Sequence, residues 1–371
     1  MLMADRKNSR KIDGVKGIRS RKDYRKAVAS ARKAVIVILG LNILVFAAII
    51  GLVAADGGLG SMMHALETMN AWYFAAALAV IFFSYSIRYP KWSLYLRRLG
   101  VHIRTARSYV IYLSMYSMDM TPGRWGRAVA SYTINRLSNV KFARTFPAVV
   151  ADIFTDFLGF AIVTDVSAII VGKFIVISFI LTLLLMVPFF FVYVERPFIY
   201  VKKKFLRIRR RFRIARKLDT IFSTATLYFE HNKKLGVGAF AYSMLLTVPS
   251  MFLNGMALYL TMMAFGVPLG LSDIPVVLFI FSSSIVIGII TGIPAAVGIT
   301  DAALIGQLSF FFPSSINLGL ASVITIFFRI ASIWFVQAFG FVAFLYTLRY
   351  WEPRNPIESS RQGASSGYMR A

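Results

Sequence analysis

The chain has 371 residues, 58% of them hydrophobic, with a mean hydropathy of +0.67 and a net charge of +26. Hydrophobicity this high excludes an ordinary soluble domain, and the lack of cysteine excludes disulfides, thiolate metal sites and thiol catalysis. The positive charge is gathered into a few segments beside apolar runs, which reads as membrane topology and not as a nucleic-acid surface.

In chain order, residues 1–32 form a basic arm expected on the cytoplasmic side. The next run, KAVIVILGLNILVFAAIIGLVAA, is apolar on every side, which suits a helix and not the alternating strand of a membrane barrel. Lys33–Ala55 is the first expected span, a retained anchor because it lacks the small-residue cleavage site of a signal peptide. Further spans are expected at Asn70–Ile87, Thr145–Ala168, Lys173–Val194, Gly236–Phe265 and Asn317–Leu348. Lys and Arg crowd into Arg88–Arg107, Arg124–Arg144 and KKKFLRIRRRFRIARK at Lys202–Lys217, while the loops Asp56–Asn70 and Gly266–Asp273 have none. The positive-inside rule puts the basic segments, and with them both termini, in the cytoplasm. Such clusters attract anionic headgroups by about 1 kcal/mol per basic residue, so membrane lipids are the expected partners. The loop 196–234 interleaves basic and apolar residues like an amphipathic surface helix, and the polar Ser/Gly-rich tail 351–371 reads as disordered.

Two Pro-Gly punctuated turns interrupt this pattern. The segment Ser108–Met120, at about 20 Å of helix, is too short to span and has basic residues on both sides. It is expected to enter and leave on the cytoplasmic side, turning at TPGRWGR, Thr121–Arg127. Ile274–Ile293 and Ile299–Phe312 flank the turn GIPAAVGITD, Gly292–Asp301, without a basic residue, and are expected to dip in from outside, although Ile274–Ile293 is long enough to span alone. Each half, 33–168 and 173–348, is then span, span, hairpin, span, in opposite directions. The expected fold is an all-α polytopic membrane protein of about six spans and two re-entrant hairpins arranged as an inverted-topology repeat. Such repeats bind substrate near the midplane, where broken helices aim their termini at the ligand. That makes Pro122, Gly123 and Gly126 of the first turn, and Pro294 and Gly298 of the second, candidate site backbone.

The candidate side chains are charges at membrane depth, which are costly and face a partner, the bundle interior or water. Asp152 and Asp156 share one helical face with Thr155 beside them, and read either as a coupling-ion, proton or lipid-amine site or as structural partners of Arg124, Arg127 or Arg136. Arg124 and Arg127 flank two glycines at a helix start, where free N–H groups and guanidinium forks suit a phosphate. Arg329 interrupts SVITIFFRIASIWF and reads as a phosphate contact, as a partner of Asp301, or as a snorkelling residue. His64, His102 and His231 are scattered, so no metal site, cofactor or catalytic triad is indicated.

Together IRYPKWSLYLRRLGV, TPGRWGRAVASYTINRLSNV, DIFTD and IPAAVGITDAAL followed by FFRIASIWF resemble the transmembrane region of the lysylphosphatidylglycerol synthase family, the flippase-like membrane proteins, over about Lys33 to Tyr350. The resemblance implies a membrane domain that moves lipids between leaflets of the cell membrane. Relative to the family pattern, Ala295 and Ala296 replace a Gly pair, Asp301 a Glu, Ile153 a basic residue and Arg127 an acidic one, so the resemblance carries over the hairpins' backbone roles but not a charge preference for substrate. The loops leave no room for a soluble aminoacyl-transferase domain. The expected function is thus a non-enzymatic translocator of an anionic or polyprenyl-phosphate lipid, with self-association open. A membrane scaffold, or an intramembrane enzyme using Asp152 and Asp156 to hold Mg²⁺ against a lipid phosphate, is the alternative.

Overall fold

The computed structural model describes residues 59–138, 140–193, 226–293 and 296–350, with isolated helical positions between 40 and 51 and at 200. The basic arm, most of the first expected span, most of the loop 196–234, Pro294 and the tail 351–371 lie outside the described residues.

Every regular element among the described residues is helical. They are α1 (Leu59–Glu67), α2 (Ala71–Ser86), α3 (Tyr89–Arg98), α4 (Thr105–Met115), α5 (Val129–Ser138), α6 (Phe142–Val171), α7 (Ile175–Tyr193), α8 (Gly236–Ala264), α9 (Ile274–Ile290), α10 (Ile299–Phe311), α11 (Leu318–Arg329) and α12 (Val336–Tyr350). Five stretches, Ala71–Arg98, Phe142–Val171, Gly236–Ala264, Leu271–Ile290 and Leu318–Thr347, are long and apolar enough to cross a membrane, so the chain is an all-α polytopic membrane protein. Side-chain caps set two of these starts. Asn70 Oδ1 accepts from Trp72 N at 3.0 Å, and Asn317 Oδ1 accepts from Leu320 N at 2.8 Å, each satisfying one orphan donor of a first turn.

The second expected span differs in its end. It continues past Ile87 into α3, where Pro90 occupies the first turn without needing an N–H partner. This carries Arg88 and Lys91 inward, where both are buried, instead of onto the cytoplasmic surface. The charge rule counts residues near a span end and cannot see that the helix goes on.

The two halves interlock in a reciprocal way. α2 and α8 are antiparallel neighbours: Asn70 N donates to Ala264 O at 2.8 Å, and fourteen residues further along α2, Ser250 Oγ donates to Ser84 O at 2.8 Å. α6, the helix after the first hairpin, packs on α9, the leading arm of the second. α12, after the second hairpin, packs on α4, the leading arm of the first. This exchange is what a two-fold relation between inverted halves requires. The α12–α4 contact is close enough that a Cβ on Gly340 would lie 2.6 Å from Ser117 N, so only a glycine fits there.

Within each half a helix pair folds back on itself. α4 and α5 pack together around the turn at Thr121–Arg127, and α9 and α10 around the turn at Gly292–Gly298.

Candidate functional site

The first turn is tight because of its backbone. Gly123 and Arg124 both have φ of 59°, in the left-handed region, which glycine adopts freely and arginine only under tertiary constraint. Gly126 sits against the 3₁₀ turn Tyr116–Met118 that follows α4, where a Cβ would meet Met118 O at 2.3 Å, and its N–H donates to Thr121 Oγ1 at 2.6 Å. These constraints turn Arg124 and Arg127 toward the carboxylates of α6.

Arg127 is instead enclosed by carboxylates. Its Nη1 donates to Asp152 Oδ2 at 2.6 Å and Asp156 Oδ2 at 2.7 Å, and its Nε donates to Asp119. Two further cations complete the cluster: Arg88 Nη1 reaches Asp156 Oδ2 at 2.8 Å, and Lys91 Nζ reaches Asp156 Oδ1 at 2.6 Å and Asp152 Oδ1 at 3.1 Å. Asp156 lies fourteen residues from the start of α6 and fifteen from its end, roughly 21–23 Å from each, so the cluster sits at the middle of a helix long enough to cross a membrane. Isolated charges there would be prohibitively desolvated, and mutual pairing with added hydrogen bonds is what makes them tolerable. The carboxylate pair seen in the sequence is thus answered by buried cations from two segments, Arg88 and Lys91 of the α2–α3 stretch and Arg127 of the turn.

Arg124 is held differently. It is 17% exposed where Arg127 is fully enclosed, and its carboxylate contacts are longer, 3.7 Å to Asp119 and 3.6 Å to Asp156. Its guanidinium stands over the rings of Phe157, at 5.6 Å, and Phe160, at 5.3 Å.

The second turn has a parallel design. Ala296 has φ of 50° and Gly298 of 83°; a Cβ on Gly298 would meet only open space, so backbone conformation alone calls for glycine, and not the close approach its place in a hairpin suggests. Gly298 N donates to Asp301 Oδ2 at 2.8 Å, capping α10, while Asp301 Oδ1 lies 2.8 Å from Arg329 Nε. The sequence alternative of an Arg329–Asp301 ion pair is the one observed. Directly after Arg329 the helix widens into a π-helical turn, Ile330–Phe335, a distortion frequent at functional sites.

Both turns open on one cavity between the halves, of about 870 Å³ including its mouth. Gly123, Arg124, Ala296 and Arg329 are on its wall, with Arg88, Asp119 and Asn254 beside them; Arg127, Asp152, Asp156 and Asp301 stand behind the wall. Ile285, Ile289 and Ile293 form a stripe at intervals of four along α9 and its end, and Phe157 and Phe160 also line the cavity. The sequence reading missed Arg88, Lys91 and Asp119. A signal existed for Asp119, an acid inside the apolar segment Ser108–Met120; none existed for Lys91, which reads as an ordinary flanking charge.

No curated protein gives a significant match to the chain. The profile of the family described as the lysylphosphatidylglycerol synthase TM region matches residues 37–340, which include both turns, the buried cluster and Arg329. The chain therefore belongs to the lysylphosphatidylglycerol synthase transmembrane-region family and is an integral multi-pass membrane protein.

Proposed function

We propose that this protein translocates a phosphate-bearing lipid between the leaflets of the cell membrane, with its basic segments and both termini in the cytoplasm. The observation that carries the reading is the cavity, lined by the turns of both halves and by arginines next to isoleucine and phenylalanine side chains. An amphiphile fits such a wall by placing its headgroup against the arginines and its chains along the α9 stripe. In inverted repeats, rocking of one half against the other exposes a midplane site to alternate sides, and the reciprocal α6–α9 and α12–α4 contacts are surfaces on which such a motion can pivot. Asp152 and Asp156 face three buried cations, an environment that opposes a divalent metal and favours a static role for the pair.

The test is reconstitution of the purified chain into vesicles carrying fluorescent phosphatidylglycerol, followed by bleaching of the outer leaflet with an impermeant reductant. Translocation carries bleaching past the outer-leaflet fraction. Bleaching that stops where it does in protein-free vesicles contradicts the reading.

A further inference from the structure

Resting on the reading of the cavity as a lipid site, the charge count of its wall narrows the substrate class. Among the described residues, the cluster behind and on the wall contains four cations, Arg88, Lys91, Arg124 and Arg127, against three carboxylates, Asp119, Asp152 and Asp156. The Arg329–Asp301 pair adds one charge of each sign and leaves the balance unchanged. One positive charge is therefore uncompensated at a depth where solvent screens poorly.

Unpartnered buried donors on residues of the wall point the same way. Arg88 Nη2, Thr300 Oγ1 and Ser332 Oγ are buried atoms of wall residues that find no hydrogen-bond partner among the described residues. Arg88 is itself 1% exposed, so this nitrogen has no recourse to bulk water. A guanidinium can only donate, and a hydroxyl can do so by rotating its proton; the complementary ligand is rich in acceptors. Arg124, supported by the Phe157 and Phe160 rings and only loosely engaged by Asp119 and Asp156, is placed to exchange a carboxylate for a ligand oxygen.

We infer that the cavity selects lipids bearing one net negative charge on a phosphodiester, and discriminates against zwitterionic, aminoacylated and dianionic phosphomonoester headgroups. One monoanion neutralises the excess. A zwitterion or an aminoacylated headgroup brings a cation to a site that already has one too many. A second negative charge overshoots the balance and has to lie near Asp119, which shares the wall.

The test is competitive binding of four defined lipids, phosphatidylglycerol, phosphatidylcholine, lysylphosphatidylglycerol and phosphatidic acid, to the purified full-length protein. They are offered at equal concentration at pH 8 in 0.5 M salt to suppress surface binding, and bound lipid is read by native mass spectrometry. Phosphatidylglycerol is expected to be retained about 10-fold or more over phosphatidylcholine and lysylphosphatidylglycerol, with phosphatidic acid no better than phosphatidylglycerol. Arg124→Gln should abolish the preference, and Arg124→Lys should preserve it, which separates loss of charge from loss of fold. Equal retention of the four lipids, or phosphatidic acid bound about 10-fold above phosphatidylglycerol, overturns the inference. The vesicle assay on the same preparation separates the two proposals: translocation without charge preference sinks only this one, and selective binding without translocation sinks only the functional reading.

Discussion

Asp301 lies 2.8 Å from Arg329, and this pair repeats with signs exchanged the contact of Arg127 with Asp156 at 2.7 Å. In each half, a charge on the hairpin meets the opposite charge on the helix that follows it. The hairpins are thereby fastened by a buried ion pair instead of by apolar packing alone. Breaking such a pair from one side leaves an uncompensated charge, at a cost of about 3–5 kcal/mol.

The first prediction follows from that cost. Asp156 holds Arg88, Lys91 and Arg127 at 2.8 Å or less, so Asp156→Asn is expected to lower the thermal midpoint of the detergent-solubilised protein far more than Arg124→Gln, whose contacts are longer. Equal midpoints for the two variants would show that the cluster does not stabilise the fold.

Arg329 and Asp301 should behave as a unit. Arg329→Gln and Asp301→Asn are each expected to destabilise, and the double variant less than their sum, with a coupling of about 1–3 kcal/mol. Additive losses in a double-mutant cycle would mean that the pair, though close, is not energetically linked.

The glycines separate by mechanism. Gly126→Ala places a Cβ 2.3 Å from Met118 O, backbone that cannot retreat without displacing the turn, whereas Gly298→Ala meets open space and has only its φ of 83° to overcome. The second change is expected to cost about 1–2 kcal/mol and the first more, measured as shifts in thermal midpoint. A larger loss at Gly298 would reverse this assignment.

Much of the fold was legible from hydropathy: the helices after both hairpins, and the antiparallel second spans, lie where apolar length places them. The site was legible in part. Pro122, Gly123 and Gly126 marked the first turn, and Arg329 with Asp301 stood out as charges in apolar sequence. The end of the second span was not readable, because Arg88 and Lys91 look like positive-inside residues until α3 is seen to continue into the bundle. The role of Asp152 and Asp156 was equally hidden, since spacing places two carboxylates on one face but cannot say which cations reach them. Nor does sequence announce the π-helical turn after Arg329, which depends on packing around Ile330–Phe335.

Topology is open to direct labelling, because the chain has no cysteine of its own. With the basic segments in the cytoplasm, single cysteines at Asn70 and Gly270 are expected to react with an impermeant thiol reagent added outside, and those at Arg104 and Lys141 only after permeabilisation. Arg104 and Lys141 bracket the first hairpin, so reaction of one but not the other from outside would show that this segment crosses the membrane.

The central claim is that lipid passes through the cavity between the halves, and filling that cavity tests it most directly. Ile289 is in the middle of the apolar stripe on α9 and borders the cavity. In vesicles containing fluorescent phosphatidylglycerol, the unaltered protein is expected to carry bleaching past the outer leaflet, and Ile289→Trp, if equally folded by its thermal midpoint, to slow that phase by about 10-fold or more. Translocation at the unaltered rate through a folded Ile289→Trp variant would place the lipid path elsewhere and contradict the account.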